Sequence, residues 1–146
     1  MHTRPGVINY LESAKKLGLK IGLASSAPFN WVIPNLEELN IVSYFDCIRT
    51  HEDVAKVKPD PELYMSVLAY FGLSPRKAIA FEDSPNGAKS ASQANLHTVI
   101  VPNELTKDLT FERYSIRLHS MLDMDLEQLI DSIEQSGKTS EQHISK

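Results

Sequence analysis

Val7, Leu11, Ala14 and Leu17 recur at helical spacing behind Pro5 and Gly6, with Glu12, Lys15 and Lys16 on the intervening positions. That spacing predicts a surface helix ending near Gly18. Leu19 to Ala24 is instead a short, near-continuous apolar run closed by Ser25 and Ser26, as expected of a parallel strand covered on both faces. Asn30 to Leu39 suits a second helix, which Pro34 is expected to kink or split because it lacks a backbone donor. Tyr44 to Thr50 follows as a second strand, and Pro61 to Phe71 as a helix burying Leu63, Val67 and Tyr70 and ending at Gly72. Ala78 to Phe81 forms a third buried run that leads into Glu82 and Asp83. Ser84 and Pro85 then open a helix to about Asn95 with Ala88, Ala91 and Ala94 on one small-residue face. Thr98 to Val101 is a fourth strand stopped by Pro102, and Asp125 to Ile133 a last helix burying Leu126, Leu129, Ile130 and Ile133. Beyond it, Ser136 to Lys146 is poor in apolar residues and is expected to fray, which leaves residues 1–135 as the core-forming part.

Helix and strand in alternation, with crossovers long enough for right-handed connections, predict an α/β fold: an open parallel sheet with helices on both faces. Ligands of such sheets bind beyond the carboxyl ends of the strands. Ser25, Glu82 and Asp83 fall at strand carboxyl ends and Lys58 in a loop that follows one, so four polar groups converge on one rim.

Charge narrows what that rim can hold. Fifteen basic against nineteen acidic side chains give a net charge of -4, so no overall positive field attracts nucleic acid or an anionic membrane. A bound phosphate must be gripped locally. No window approaches the roughly 18 apolar residues of a membrane span, and no charged-then-apolar leader opens the sequence. Cys47 is the single cysteine, which rules out an intrachain disulfide or a thiolate cage and suits a reducing compartment; the cytoplasm is the expected location.

Each group on the rim has a chemical reading and a structural one. Ser25 and Ser26, where a strand turns toward a helix, can direct a hydroxyl and backbone amides at one anion, or can merely cap the next helix. Lys58 is held extended by Pro59 ahead of the Asp60-Pro61 helix start; taken alone it is an ordinary solvated charge. Glu82 and Asp83 are adjacent anions at a buried strand end and repel unless a cation or donors neutralise them. Magnesium meets that need, since it takes oxygen ligands and bridges to phosphate. The structural reading makes Asp83 or Ser84 the cap of the following helix.

Three segments carry a resemblance. Leu-Ala-Ser-Ser at 23 to 26, Val-Lys-Pro-Asp-Pro at 57 to 61 and Phe-Glu-Asp-Ser-Pro-Asn-Gly at 81 to 87 resemble the second, third and fourth motifs of the haloacid dehalogenase superfamily, most closely its beta-phosphoglucomutase-like branch. The resemblance implies that Ser25, with Ser26 beside it, and Lys58 bind the transferring phosphoryl group of a small phosphorylated metabolite, and that Asp83, with Glu82, holds Mg2+. It implies a phosphohydrolase or phosphomutase acting through an aspartyl-phosphate. The family's first motif, an apolar strand ending in Asp-x-Asp-Gly-Thr that supplies the nucleophile, does not occur in these 146 residues. Arg4-Pro5-Gly6-Val7 resembles the return from the family's cap to its core, so the chain is expected to be a carboxyl-terminal core portion, inactive alone. Without the central nucleophile strand, Leu19 to Ala24 is expected to pair directly with Ala78 to Phe81 or to recruit another chain, giving self-association through exposed sheet edges.

Two clusters mimic a site. Asp123-Met124-Asp125 has the two-aspartate spacing, but no Gly-Thr follows and Asp125 suits a helix cap. His51-Glu52-Asp53 combines metal-ligand types, yet three consecutive loop residues do not readily face one ion. Two other functions fit the fold. One is a non-catalytic module that binds phosphorylated ligands or a partner through Ser25, Lys58 and Asp83; the other is a signalling receiver domain. The second is disfavoured because serine comes first here and the acids follow the lysine.

Overall fold

The computed structural model describes residues 2–144, and their side chains as far as residue 136. Helix α1 (Val7–Lys16) leads into strand β1 (Gly22–Ala24), helix α2 (Phe29–Glu38) and strand β2 (Cys47–Arg49). Helix α3 (Glu62–Phe71), strand β3 (Ile79–Glu82), helix α4 (Pro85–Gln93), strand β4 (His97–Ile100), strand β5 (Ile116–Arg117) and helix α5 (Leu126–Ile144) complete the order. All strand pairs are parallel: β1 with β2, with Gly22 opposite Cys47, and β3 with β4 and β4 with β5, with Phe81 opposite Val99.

Strand alternation explains why helices cover both faces. Ile79, Phe81 and Val99 turn to a core shared by α1, α2 and α5, where Tyr10, Leu11, Val32, Leu36 and Leu129 are buried. Ala78 and Ala80 turn the other way, to Leu68 of α3 and to Ala91 and Ala94 of α4. The small face expected on α4 is what lets this helix lie close to its strands. Ile100 meets Ala88 and the buried Phe111 in a smaller cluster.

The expected elements are present with shifted limits. Leu19 is exposed and β1 covers only residues 22–24, while Tyr44 closes a 3-10 turn (Val42–Tyr44) ahead of β2. In α3 the buried residues are Leu63 and Leu68, and Tyr70 lies 58% exposed beneath the Arg49 guanidinium, 5.1 Å from its ring centroid. Ile130 is only partly buried beside Leu126, Leu129 and Ile133. Pro34 sits inside α2 without dividing it; the loss of one backbone donor is tolerated in this short helix because Val32 and Leu36 anchor its buried face. Fraying is expected over Ser136 to Lys146; the backbone of α5 continues as helix to Ile144, while residues 145–146 and the side chains from 137 on lie outside the described residues. β5 escaped notice because two residues show no periodicity.

The sheet is in two pieces, and among the described residues β1 and β3 do not pair with each other. The direct pairing expected from the missing strand is therefore not adopted. Side-chain layers hold the pieces together instead. Leu23 of β1 and Phe81 of β3 pack on the same core, and the Tyr10 ring stands edge-on to Phe81 at 5.5 Å while its hydroxyl donates to the Met124 carbonyl at 2.6 Å. On the opposite face Ser90 Oγ of α4 donates to the Asp60 carbonyl ahead of α3 at 2.7 Å.

β1 and α3 approach so closely that Gly22 has no room for a side chain. A Cβ there would lie 2.6 Å from Val67 Cγ1 and 3.2 Å from Phe71 Cε2, and a β-branched valine cannot easily rotate aside. Gly22→Ala is expected to destabilise the fold by about 1 to 3 kcal/mol, read as a lower urea midpoint. A midpoint at or above that of the unaltered chain would mean that this contact is not tight.

Candidate active site

The rim at the carboxyl ends of β1 and β3 is assembled by short polar contacts. Ser25 extends the β1 ladder by one residue, donating its amide to Arg49 O at 3.0 Å. Its hydroxyl oxygen accepts from the Ala27 amide at 3.1 Å, which shapes the turn and leaves the O–H itself without an acceptor among the described residues. Ser26 acts on the neighbouring loop: its Oγ accepts from the Lys58 amide at 3.2 Å. The two serines thus divide the work, one at the strand end and the other fixing the backbone that carries the lysine.

Lys58 reaches across from the loop between β2 and α3 to the end of β3. Its Nζ lies 2.6 Å from Glu82 Oε2, with the two side chains 15% and 8% exposed. The Tyr64 hydroxyl of α3 donates to the same oxygen, and the ammonium lies 5.0 Å from the centre of the Tyr64 ring. Lys58-Pro59 is a cis peptide. The far side of the Glu82 carboxylate is closed by Gly87, where a Cβ would overlap it. Removing either partner of a pair this buried would leave the other charge buried and unpaired, at a cost on the order of 3 to 5 kcal/mol.

Asp83 is set apart from that pair. Ser84 caps α4 by accepting from the Gly87 amide at 3.1 Å, so the cap is Ser84 and Asp83 is relieved of that role. Asp83 Oδ2 accepts from Asn103 Nδ2 at 3.1 Å and its carbonyl from Thr106 Oγ1 at 2.6 Å. Oδ1 has no donor among the described residues. Among those residues no group of three or more His, Cys, Asp or Glu side chains could hold a metal ion. The donor set for a hard cation is therefore partial: Asp83 offers Oδ1, whereas Glu82 is engaged at Oε2 by Lys58 and Tyr64 and keeps only Oε1 without a donor among the described residues.

The two mimicking clusters have structural partners. Asp125 Oδ1 accepts from the Gln128 amide at 2.8 Å and Gln128 returns the bond at 3.0 Å, a reciprocal cap on α5. Asp123 Oδ2 accepts from the amides of His119 and Ser120. Glu52 accepts from the Phe29 amide at the start of α2, and Asp53 from the Thr50 amide at 2.8 Å.

Tyr64, Asn103 and Thr106 were not singled out from the sequence. Tyr64 looks like any aromatic on the apolar face of a helix. Asn103 could have been found, because it follows Pro102 at the carboxyl end of β4, on the rim already identified.

A sequence model described as haloacid dehalogenase-like hydrolase matches residues 1–101. YhcW of Bacillus subtilis is 48% identical over 130 residues, 89% of this chain and 59% of that protein. The phosphorylated carbohydrates phosphatase of Thermotoga maritima is 36% identical over 95 residues, 65% of this chain and 44% of that protein. A crystal structure of beta-phosphoglucomutase from Clostridium difficile superposes with a TM-score of 0.79 at 26% identity, over 91% of this chain and 57% of that one. The chain thus spans about half the length of the relatives it matches.

Burial of its hydroxyl, and then the negative charge of Glu82, push the Tyr64 phenol well above its ordinary range. A pKa raised by folding contributes stability that is present below the unfolded value, about 10, and is lost as pH rises above it. Melting temperature is therefore expected to fall above about pH 10, and Tyr64→Phe to make that fall shallower. An unchanged alkaline slope in Tyr64→Phe would detach the phenol from it.

Proposed function

We infer, because the chain belongs to the haloacid dehalogenase-like hydrolase family, that it supplies the phosphoryl-gripping half of a phosphohydrolase or phosphomutase site for a small phosphorylated metabolite. The observation that carries this reading is the buried Lys58–Glu82 contact at 2.6 Å, with the Lys58 amide bonded to Ser26, next to Ser25 in the sequence, and Asp83 next to Glu82. Ser25 donates its hydroxyl to a phosphoryl oxygen. Lys58, held by Glu82, Tyr64 and the Ser26 contact to its amide, sets a fixed positive charge beside the same group, where charge spreads in the transition state. Asp83 is the residue that would hold Mg2+, with Glu82 beside it fixing the lysine, and the ion would neutralise phosphoryl charge when bound. Among the described residues the rim leaves Asp83 Oδ1 and Glu82 Oε1 without donors, so the remaining ligands would be water, a phosphoryl oxygen or a carboxylate of the first motif.

In that protein the attacking group is a carboxylate from the Asp-x-Asp-Gly-Thr motif, which these residues do not include. It takes the phosphoryl group as the bond to the substrate oxygen breaks, and water or a second hydroxyl then removes it. The unpaired edges of β1 and β3 support a strand entering between them, from that segment or from a second copy of the chain. Among the described residues no helix is long and apolar enough to cross a membrane, and the lone thiol Cys47 suits a reducing compartment such as the cytoplasm. The free Ser25 hydroxyl, the buried Lys58 and the open oxygen of Asp83 also suit a second reading, a module that binds phosphorylated ligands without turning them over.

The purified 146-residue chain is expected to show no magnesium-dependent hydrolysis of p-nitrophenyl phosphate. Joined to a segment bearing the first motif, it is expected to turn over, with Lys58→Ala lowering kcat by roughly 100-fold to 1000-fold and Asp83→Asn raising the magnesium concentration required. Full rates for Lys58→Ala in the joined protein would remove the lysine from the site, and turnover by the chain alone would remove the need for the first motif.

A further inference from the structure

A cleft of about 470 Å3 opens beside the rim, beyond the ends of β4 and β5. Arg4, Lys107, Arg117 and His119 line it against a single carboxylate, Glu104, with Pro102, Asn103 and Leu118 completing the wall. On a chain of net charge -4 this is a local reversal of sign. Nothing in the phosphoryl-gripping constellation uses Arg4, Lys107 or Arg117.

Two of them are fixed before any ligand arrives. Arg4 donates through Nη1 to Val101 O at 2.8 Å and through Nη2 to Pro102 O at 3.1 Å. Arg117 donates through Nη2 to Lys107 O at 2.9 Å, and its guanidinium lies 5.6 Å from the centre of the buried Phe111 ring. A guanidinium has five N–H donors, so each keeps several after these bonds are made. The Lys107–Glu104 pair, at 2.9 Å, has side chains 52% and 89% exposed; a contact so solvated is weakly held and yields to a better anion. Pinned guanidiniums lose little freedom on binding, and their planar forks match two oxygens of one oxyanion, a match chloride cannot make.

We propose that this cleft is an anion site, separate from the Ser25–Lys58 rim, that takes the phosphate group of a phosphorylated small molecule through Arg4, Lys107 and Arg117. The volume lies within the range of small-metabolite pockets. Asn103 connects the two places: it lines the cleft, and its side-chain amide donates to Asp83.

The test titrates the 146-residue chain with inorganic phosphate at constant ionic strength, following the side-chain N–H resonances of Arg4, Arg117 and Asn103. Saturable shifts are expected, with Arg117→Gln combined with Lys107→Gln weakening binding roughly tenfold or more. Arg4 is left in place because it holds backbone carbonyls. Ser25→Asp, which repels phosphate from the rim, is expected to leave the arginine shifts intact, and Ser25→Ala serves the same comparison if the aspartate variant does not fold. Melting temperatures of the variants establish that they are folded. Shifts reproduced by chloride, insensitivity to the paired substitution, or loss of the arginine shifts in the Ser25 variants would each overturn the cleft site.

Discussion

One oxygen of Glu82 ties the two halves of the protein together. It receives Lys58 from the loop after β2 and Tyr64 from α3, while its own residue ends β3. A carboxylate nine-tenths buried is tolerable only with such partners, and the partners are equally committed to it. The geometry of the rim follows from this constraint: Gly87 must be glycine to leave the carboxylate space, and Ser84 must cap α4 so that the helix starts where Gly87 can meet Glu82. Asp83, next in sequence, is then turned to Asn103 and Thr106 instead of to the lysine.

Much of this arrangement was legible in the sequence because it rests on local rules. Parallel strands buried on both faces announce themselves as apolar runs, and their carboxyl ends located Ser25, Glu82 and Asp83 without any knowledge of contacts. What could not be read was which polar atom meets which. Glu82 and Asp83 look like equivalent neighbours in the sequence, yet side-chain alternation along β3 sends one inward to a lysine and leaves the other with an open oxygen. Ser25 and Ser26 diverge for the same reason. Tyr64 was hidden because its role depends on a residue eighteen positions away, and exposure of Tyr70 depends on where α3 lies on β1 and β2, a tertiary matter that helical periodicity does not contain. Of the two outcomes expected for the strand edges, direct pairing of β1 with β3 is not adopted, because the shared layer of Tyr10, Leu23 and Phe81 holds the strands without a ladder between them.

The rim and the cationic cleft also illustrate how a chain of net negative charge handles anions. Neither relies on a broad field. The rim uses one lysine whose charge is held by a buried carboxylate, and the cleft uses guanidiniums held by backbone carbonyls and an aromatic ring. In both, the positive group is positioned by contacts made on folding, so that its orientation costs nothing further when a ligand arrives.

The division of the sheet bears on how the molecule comes together and comes apart. β1 with β2, and β3 with β4, are closed by backbone ladders, whereas among the described residues β1 and β3 share none and the seam between them rests on side-chain contacts such as Lys58 and Tyr64 with Glu82. A seam closed by side chains alone gives way more readily than a unit closed by a backbone ladder. The seam is thus the natural line of sub-global opening, and because Lys58 and Glu82 lie on opposite sides of it, the phosphoryl-gripping charge exists as an oriented group only while the two halves are docked.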